Sequence, residues 1–276
     1  LIRRGVEHAS RLMGFSMKVE GIYSPIRVRL EDYRPPRHGD ICGAILMGTF
    51  DDQYIGMFRS ERIPVVVVDY RTHDPDVDCV TVDVESEAYQ AIDYLSGLGH
   101  TSLGFMASAL AAGKRYDIGR LKSYDPDVWR LLDNLRGAAQ RRGIQMRDEW
   151  IMHVYDPVNG IGPAAEHFLN QHDCPSSLIV FDDAVARPVL RVLRQGPRRC
   201  PEDVSLISRG VLDPFRIEGM EVTHLRGNPI LMGESAVRLL AERVRGDRRH
   251  AVRLEIASRL VRGATTCAPG GGRPGG

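Results

Sequence analysis

The chain has 276 residues, 43% hydrophobic and 26% charged. At about 150 residues per domain, this length suits two domains with a core each, and the composition excludes a disordered or fibrous chain. With 37 Lys+Arg against 36 Asp+Glu, the net charge is +1, too small a basic excess for a surface that coats nucleic acid by neutralising phosphates.

Residues 1–14 place Val6, Ala9 and Met13 at helical spacing. No strand precedes this helix, whereas a doubly wound domain usually opens on one, so either the fold starts unusually or the chain has lost its beginning. Apolar, β-branched runs follow at 41–47, 63–68 and 79–82, then a helix over 85–98 with Ala88, Ile92 and Leu95 on one face and Gly97 and Gly99 at its end. A strand at 102–106 leads into a stretch from 107 to 124, rich in Gly, Arg and Tyr without a period, expected as a long loop. The helix over 127–142 repeats Val128, Leu131, Leu132, Leu135 and Ala139 and stops at Gly143. Strands at 150–154, 177–181, 204–208 and 221–225 are interleaved with helices over 162–170, 184–194 and 232–245.

Several of these strands are apolar throughout, as strands covered on both faces of a parallel sheet must be. The βαβα alternation predicts doubly wound α/β architecture with right-handed crossovers. There are about twice the strands one sheet needs, so two such domains are expected. Residues 267–276, ending APGGGRPGG, have no strand before them and no helix after them, and read as a disordered tail rather than a phosphate loop.

No run approaches the roughly 18 apolar residues of a transmembrane helix, and the opening LIRRGVE has no signal-peptide core, so a cytoplasmic protein is expected. Cys42, Cys79, Cys174, Cys200 and Cys267 form no CxxC pair and read as reduced thiols. There is no GxSxG, GxxxxGKS/T or HExxH, and the histidines are dispersed, so neither catalysis nor a metal or other cofactor is expected. What stands out is polar residues just past buried strands: Asp69 and Tyr70, Asp83, Tyr155 and Asp156, and Asp182 and Asp183. In open α/β sheets ligands bind outside the carboxyl ends of the strands. Carboxylates there accept hydrogen bonds from hydroxyls, and rings stack on apolar faces. Asp83 and Asp183 each precede a helix and read equally as N-caps, whereas Asp69 has no helix behind it.

The runs Ile63-Pro64-Val65-Val66-Val67-Val68-Asp69, Val82-Asp83 and Leu98-Gly99-His100-Thr101-Ser102-Leu103-Gly104-Phe105 come first in a recognisable order. Phe181-Asp182-Asp183-Ala184, Cys200-Pro201-Glu202-Asp203-Val204-Ser205, Asn228-Pro229 and Arg262-Gly263-Ala264-Thr265 continue it. Together, over residues 1–266, they resemble the effector-binding region of the lactose-repressor/galactose-repressor (LacI/GalR) family of bacterial transcription regulators.

The resemblance implies two periplasmic-binding-protein-like subdomains of type I, joined by three crossovers near 82–84, 223–226 and 247–251, with an interlobe cleft for a small effector. One subdomain would combine 1–82 with 226–247, the other 84–222 with 251–266. It further implies a homodimer and an upstream helix-turn-helix, absent from this chain, that binds operator DNA. Asp69, Asp83, Tyr155 and Asp183 match positions that line the effector site, with Tyr70 as a neighbouring stacker. The family's effector-clamping arginine falls at Leu131, and Arg130 stands one position, about 100° of helix, away. Pro188 replaces a usual glycine, and Ser208-Arg209-Gly210 the usual Gly-Phe-Asp. An aromatic face with carboxylates suits a sugar better than an anion; a purine-like effector, and a sugar receptor of a transport system, are the alternatives.

Overall fold

A computed structural model describes residues 1–21, 33–48, 52–108, 126–154, 159–211 and 215–270. Among them the helices are α1 (Ile2–Leu12), α2 (Asp52–Ser60), α3 (Val84–Gly97), α4 (Pro126–Arg142), α5 (Ile161–Leu169), α6 (Asp183–Gln195) and α7 (Pro229–Arg245). The strands are β1 (Ala44–Met47), β2 (Val65–Val68), β3 (Asp78–Val82), β4 (Leu103–Ser108), β5 (Ile151–Val154), β6 (Ser177–Val180), β7 (Ser205–Gly210), β8 (Arg216–Ile217), β9 (Met220–Glu221), β10 (Thr223–Arg226), β11 (Arg253–Ile256) and β12 (Arg259–Val261). The chain divides into unit 1, Leu1–Val82 with Asn228–Ile256, and unit 2, Asp83–Gly227 with Ala257–Gly276.

Unit 1 holds a parallel sheet in the order β1-β2-β3-β11. Its inner strands are buried along their whole length, which is why the Val65–Val68 run carries no polar alternation. One core cluster joins Leu46, Ile55, Phe58, Val67 and Tyr70. α1 and α7 touch backbone to backbone through two glycines. A Cβ on Gly5 would lie 2.0 Å from the Ile230 carbonyl oxygen, and one on Gly233 would lie 2.2 Å from that of Ile2.

The second and third crossovers fall later than the expected 223–226 and 247–251. β10 stays in unit 2, and β11 stays in unit 1, pairing with β3 from Arg253 beside Cys79 to Ile256 beside Val82. The anchor is the buried Asp78 carboxylate. It accepts from Arg243 Nε at 3.0 Å, Arg248 Nη1 at 2.7 Å and Nη2 at 2.8 Å, and the Val252 N–H at 2.6 Å. Burial alone would raise this carboxyl, but the hydrogen bonds from Arg248, Arg243 and Val252 outweigh it and hold the group below the usual carboxylate range.

Unit 2 holds a sheet in the order β12-β10-β7-β6-β4-β5, parallel except for β12, which runs antiparallel to β10. The expected strand at 221–225 resolves into β10 and the end of a small β8–β9 hairpin. Met106, Phe168, Leu178, Leu190 and Leu206 belong to its main core cluster. Of the expected loop at 107–124, Ala107 and Ser108 are instead the end of β4; the rest lies outside the described residues.

Cys267, expected in the tail, is built into unit 2. Its N–H donates to Ser205 Oγ at 3.0 Å, and its carbonyl lies 2.9 Å from His100 Nε2. Two residues earlier, the Thr265 carbonyl accepts from the Leu206 N–H at 2.7 Å. Residues 271–276 of the expected tail lie outside the described residues.

Candidate functional site

The carboxyl ends of the parallel strands carry the candidate side chains. In unit 1, Asp69 follows β2 in the left-handed region at φ 63°, a conformation that short polar side chains tolerate. Its N–H donates to the Val80 carbonyl at 2.9 Å, while its side chain is exposed. Met47, at the end of the neighbouring β1, is 39% exposed. A carboxylate and a polarisable apolar side chain thus sit beside one another at the end of this sheet. The left-handed turn at Asp69 sends the next residue inward. Tyr70, expected as a stacking ring, is a core residue packed with Leu46 and Phe58, and this placement removes it from the site.

In unit 2 the two carboxylates that could be caps or ligand contacts separate. Asp83 is the N-cap of α3, its Oδ1 accepting from the Ser86 N–H at 2.9 Å. On α6 the cap is Asp182, extended at φ −153° and accepting from the Val185 N–H at 3.0 Å. Burial pushes the Asp182 carboxyl up, and the neighbouring Asp183 charge adds to the effect. Asp183 is the first residue of the helix, is exposed, and caps nothing.

Arg130 lies half-buried on α4, whose Leu131, Leu132 and Leu135 form the fully buried face. The position matched to the family's clamping arginine is therefore a core leucine. Tyr155 and Asp156 lie outside the described residues.

Two features were not anticipated. His153, one residue before the end of β5, stacks on Trp129 of α4 with ring centroids 4.7 Å apart and 27° between planes. Its Nε2 is buried and has no hydrogen-bond partner among the described residues; burial, then the Arg136 charge, pushes the imidazole below its usual value, so the ring is neutral near pH 7. The other feature is at the end of β7. Arg209 lies over the Phe181 ring at 4.8 Å and pairs with the Glu87 carboxylate at 2.9 Å. No spacing signal joins these residues, because Glu87 and Arg209 stand in different elements more than a hundred residues apart.

Among the described residues no cluster of His, Cys, Asp and Glu could hold a metal ion, and no helix is long and apolar enough to cross a membrane. Cys174 and Cys200 are pushed up to about 11 and about 12 by burial, which makes poor nucleophiles of them.

A family model for the periplasmic binding protein-like domain matches residues 92–266, more than half of the chain. The chain belongs to that family. Among curated relatives it is 27% identical over 228 residues to the HTH-type transcriptional regulator MalR of Streptomyces coelicolor, covering 82% of this chain and 63% of that one. It is 23% identical over 201 residues to the HTH-type transcriptional repressor PurR of Glaesserella parasuis, covering 72% and 55%. The chain thus spans little more than half the length of these relatives.

Its fold is that of the lac repressor dimer solved with operator and the anti-inducer ONPF, with a TM-score of 0.79 at 18% identity, covering 97% of this chain and 88% of that one. The regulator CelR in complex with cellobiose gives 0.76 at 22% identity, covering 96% and 77%. The curated relatives carry the names of HTH-type transcriptional regulators and repressors, in line with the resemblance read from the sequence. One departure from the family pattern now has a physical reason. A Cβ on Gly210, where the family has aspartate, would approach Phe215 Cδ1 to 3.0 Å and His224 Cδ2 to 3.1 Å, so a side chain here has to displace two rings.

Proposed function

We propose that this chain is the sensing part of a transcription regulator, that its effector is a sugar, and that an upstream helix-turn-helix carries operator binding. The observation that carries the reading is the pair Asp69 and Asp183. Both are exposed carboxylates just past buried parallel strands, and neither caps a helix or pairs with a cation among the described residues. In unit 1 the candidate contacts are Asp69 and the apolar Met47. In unit 2, taken by itself, they are Asp83, Asp183, Arg130 and, from the sequence, Tyr155, with the Trp129–His153 stack as a ring surface.

Exposed carboxylates accept from hydroxyls and repel anions, so a neutral polyol fits better than a phosphate or a sugar acid. The cellobiose bound by CelR supports the class. A ligand that binds one arrangement of the domain better than another shifts the population toward it, and an upstream DNA-binding part can read that shift. The relatives' names favour a regulator over a transport receptor. We also assign a second copy of the chain as partner, as in the lac repressor dimer.

The test is a thermal-shift screen of mono- and disaccharides with purines and sugar phosphates alongside. A hundredfold excess of a binding sugar over its Kd raises the melting temperature by roughly 5–10 °C, and Asp183→Ala removes that rise. A sugar whose shift survives Asp183→Ala, or a screen in which only purines or phosphates shift the protein, overturns the reading.

A further inference from the structure

The chain passes between its units at three points, after Val82, after Gly227 and after Ile256. On the unit 2 side all three lead to one buried carboxylate. Glu87 stands in the first turn of α3, its N–H bonded to the carbonyl of Asp83, the residue that opens unit 2. Its side chain is 1% exposed. Oε1 accepts from the Ser258 hydroxyl at 2.6 Å, and Ser258 lies two residues past the third passage. One helical step further, Gln90 accepts from the Leu260 N–H at 3.0 Å and donates to the Ser258 carbonyl at 3.0 Å.

Glu87 Oε2 faces Arg209 Nε at 2.9 Å, an ion pair without hydrogen-bond alignment. Arg209 is in register with Leu225 of β10, the strand that ends at the second passage. Next to it, the Gly210 carbonyl accepts from the Gly227 N–H at 3.0 Å, and a Cβ on Gly227 would lie 3.8 Å from Ser258 Oγ. The Arg209 guanidinium covers Phe181, beside the Asp182 cap and Asp183.

We infer that Glu87 is a positioning residue that, through Arg209 and Ser258, ties the carboxyl end of the unit 2 sheet to all three points where the chain leaves that unit. The physics favours a single arrangement. A carboxylate this deeply buried is tolerated only with a counter-charge and a donor in place, so each partner is held to the geometry that satisfies it. The third chain end meets the carboxylate directly through Ser258, the first holds the Glu87 backbone through Asp83, and the second reaches it through Gly210 and the adjoining Arg209. The inference stands whichever effector the domain takes.

Hydrogen–deuterium exchange of the chain, read peptide by peptide, tests it. Glu87→Gln removes the charge of the ion pair with Arg209, and exchange is expected to rise about tenfold at 83–90, 225–228 and 257–261 together. Glu87→Gln with Arg209→Gln removes both charges and is expected to bring all three stretches back to within about threefold of the parent chain. Arg142→Gln, which breaks the exposed pair with Asp93, leaves them unchanged. Acceleration confined to 83–90, a double variant worse than the single, or equal acceleration in Arg142→Gln overturns the inference. Should Glu87→Gln not fold, Ser258→Ala is expected to accelerate 83–90 and 257–261 about threefold, and no change there overturns it.

Discussion

Asp78 shows what one residue can hold in this protein. Its carboxylate is fully buried and is met by Arg243 and Arg248, side chains 18% and 17% exposed, and by the backbone where β11 begins. Asp78→Asn keeps the shape, removes the charge and leaves two half-buried guanidinium groups facing an amide. Urea unfolding should show a loss of about 3 kcal/mol. Because the folded-state carboxyl lies below its unfolded value, its stabilisation is complete above about pH 4 and fades as pH falls through the folded value. The gap between parent and Asp78→Asn should accordingly close in acid, and a gap that stays constant down to pH 2 would show that the carboxylate charge is not what holds β11. At this scale the sequence was legible in part. The position of Asp69 past a buried strand was readable; that α6 is capped by Asp182, and not by Asp183, was not, since it depends on which residue has the extended backbone. Tyr70 misled because it was grouped with Asp69 past the strand, whereas Asp69 is exposed and the residue after it is buried in the core.

The helix pair α1 and α7 fixes a different kind of constraint. Facing glycines let two backbones meet with no side chain between them, and neither site has room for a methyl group. Gly233→Ala is expected to destabilise the protein by about 2–3 kcal/mol, with the helices forced apart. Gly56→Ala on α2, where a Cβ meets nothing within 4 Å, should be neutral or stabilising by up to about 1 kcal/mol. Thermal melts of the two variants measure the contrast, and equal effects would show that the close approach carries no energy. Long amphipathic helices and fully buried strands were plain in the sequence because their periods persist over several turns or pairs. α2, β11 and β12 were not. α2 is nine residues with a glycine inside, and the two strands are short and half-exposed, so neither period has room to register.

For the whole molecule, the architecture followed from the βαβα order, whereas the second and third passages between units fall later than expected, since nothing local marks a strand as the last of its unit. Apolar side chains remain exposed on unit 1. Leu1 is 46% exposed, Leu12 73%, Ile230 42% and Leu231 40%, on or beside α1 and at the start of α7. A second copy of the chain covering this surface predicts twice the 30.8 kDa chain mass by light scattering at micromolar concentration. Leu12→Glu with Ile230→Glu should return the single-chain mass. A parent chain that is already monomeric contradicts the assignment.

The three passages between the units also bear on how such a protein can change over generations. Each unit is assembled from two separated stretches of the gene, so no single recombination point transplants one unit whole. An exchange inside 83–227 would pair an incoming Glu87 or Arg209 with a resident Ser258, and the hybrid would have to satisfy the buried carboxylate with mismatched parts. Point substitutions at exposed positions such as Asp183 or Met47 escape that demand. On the proposed reading of these positions as ligand contacts, preference is free to drift one residue at a time, while the joinery beneath it is inherited as a block.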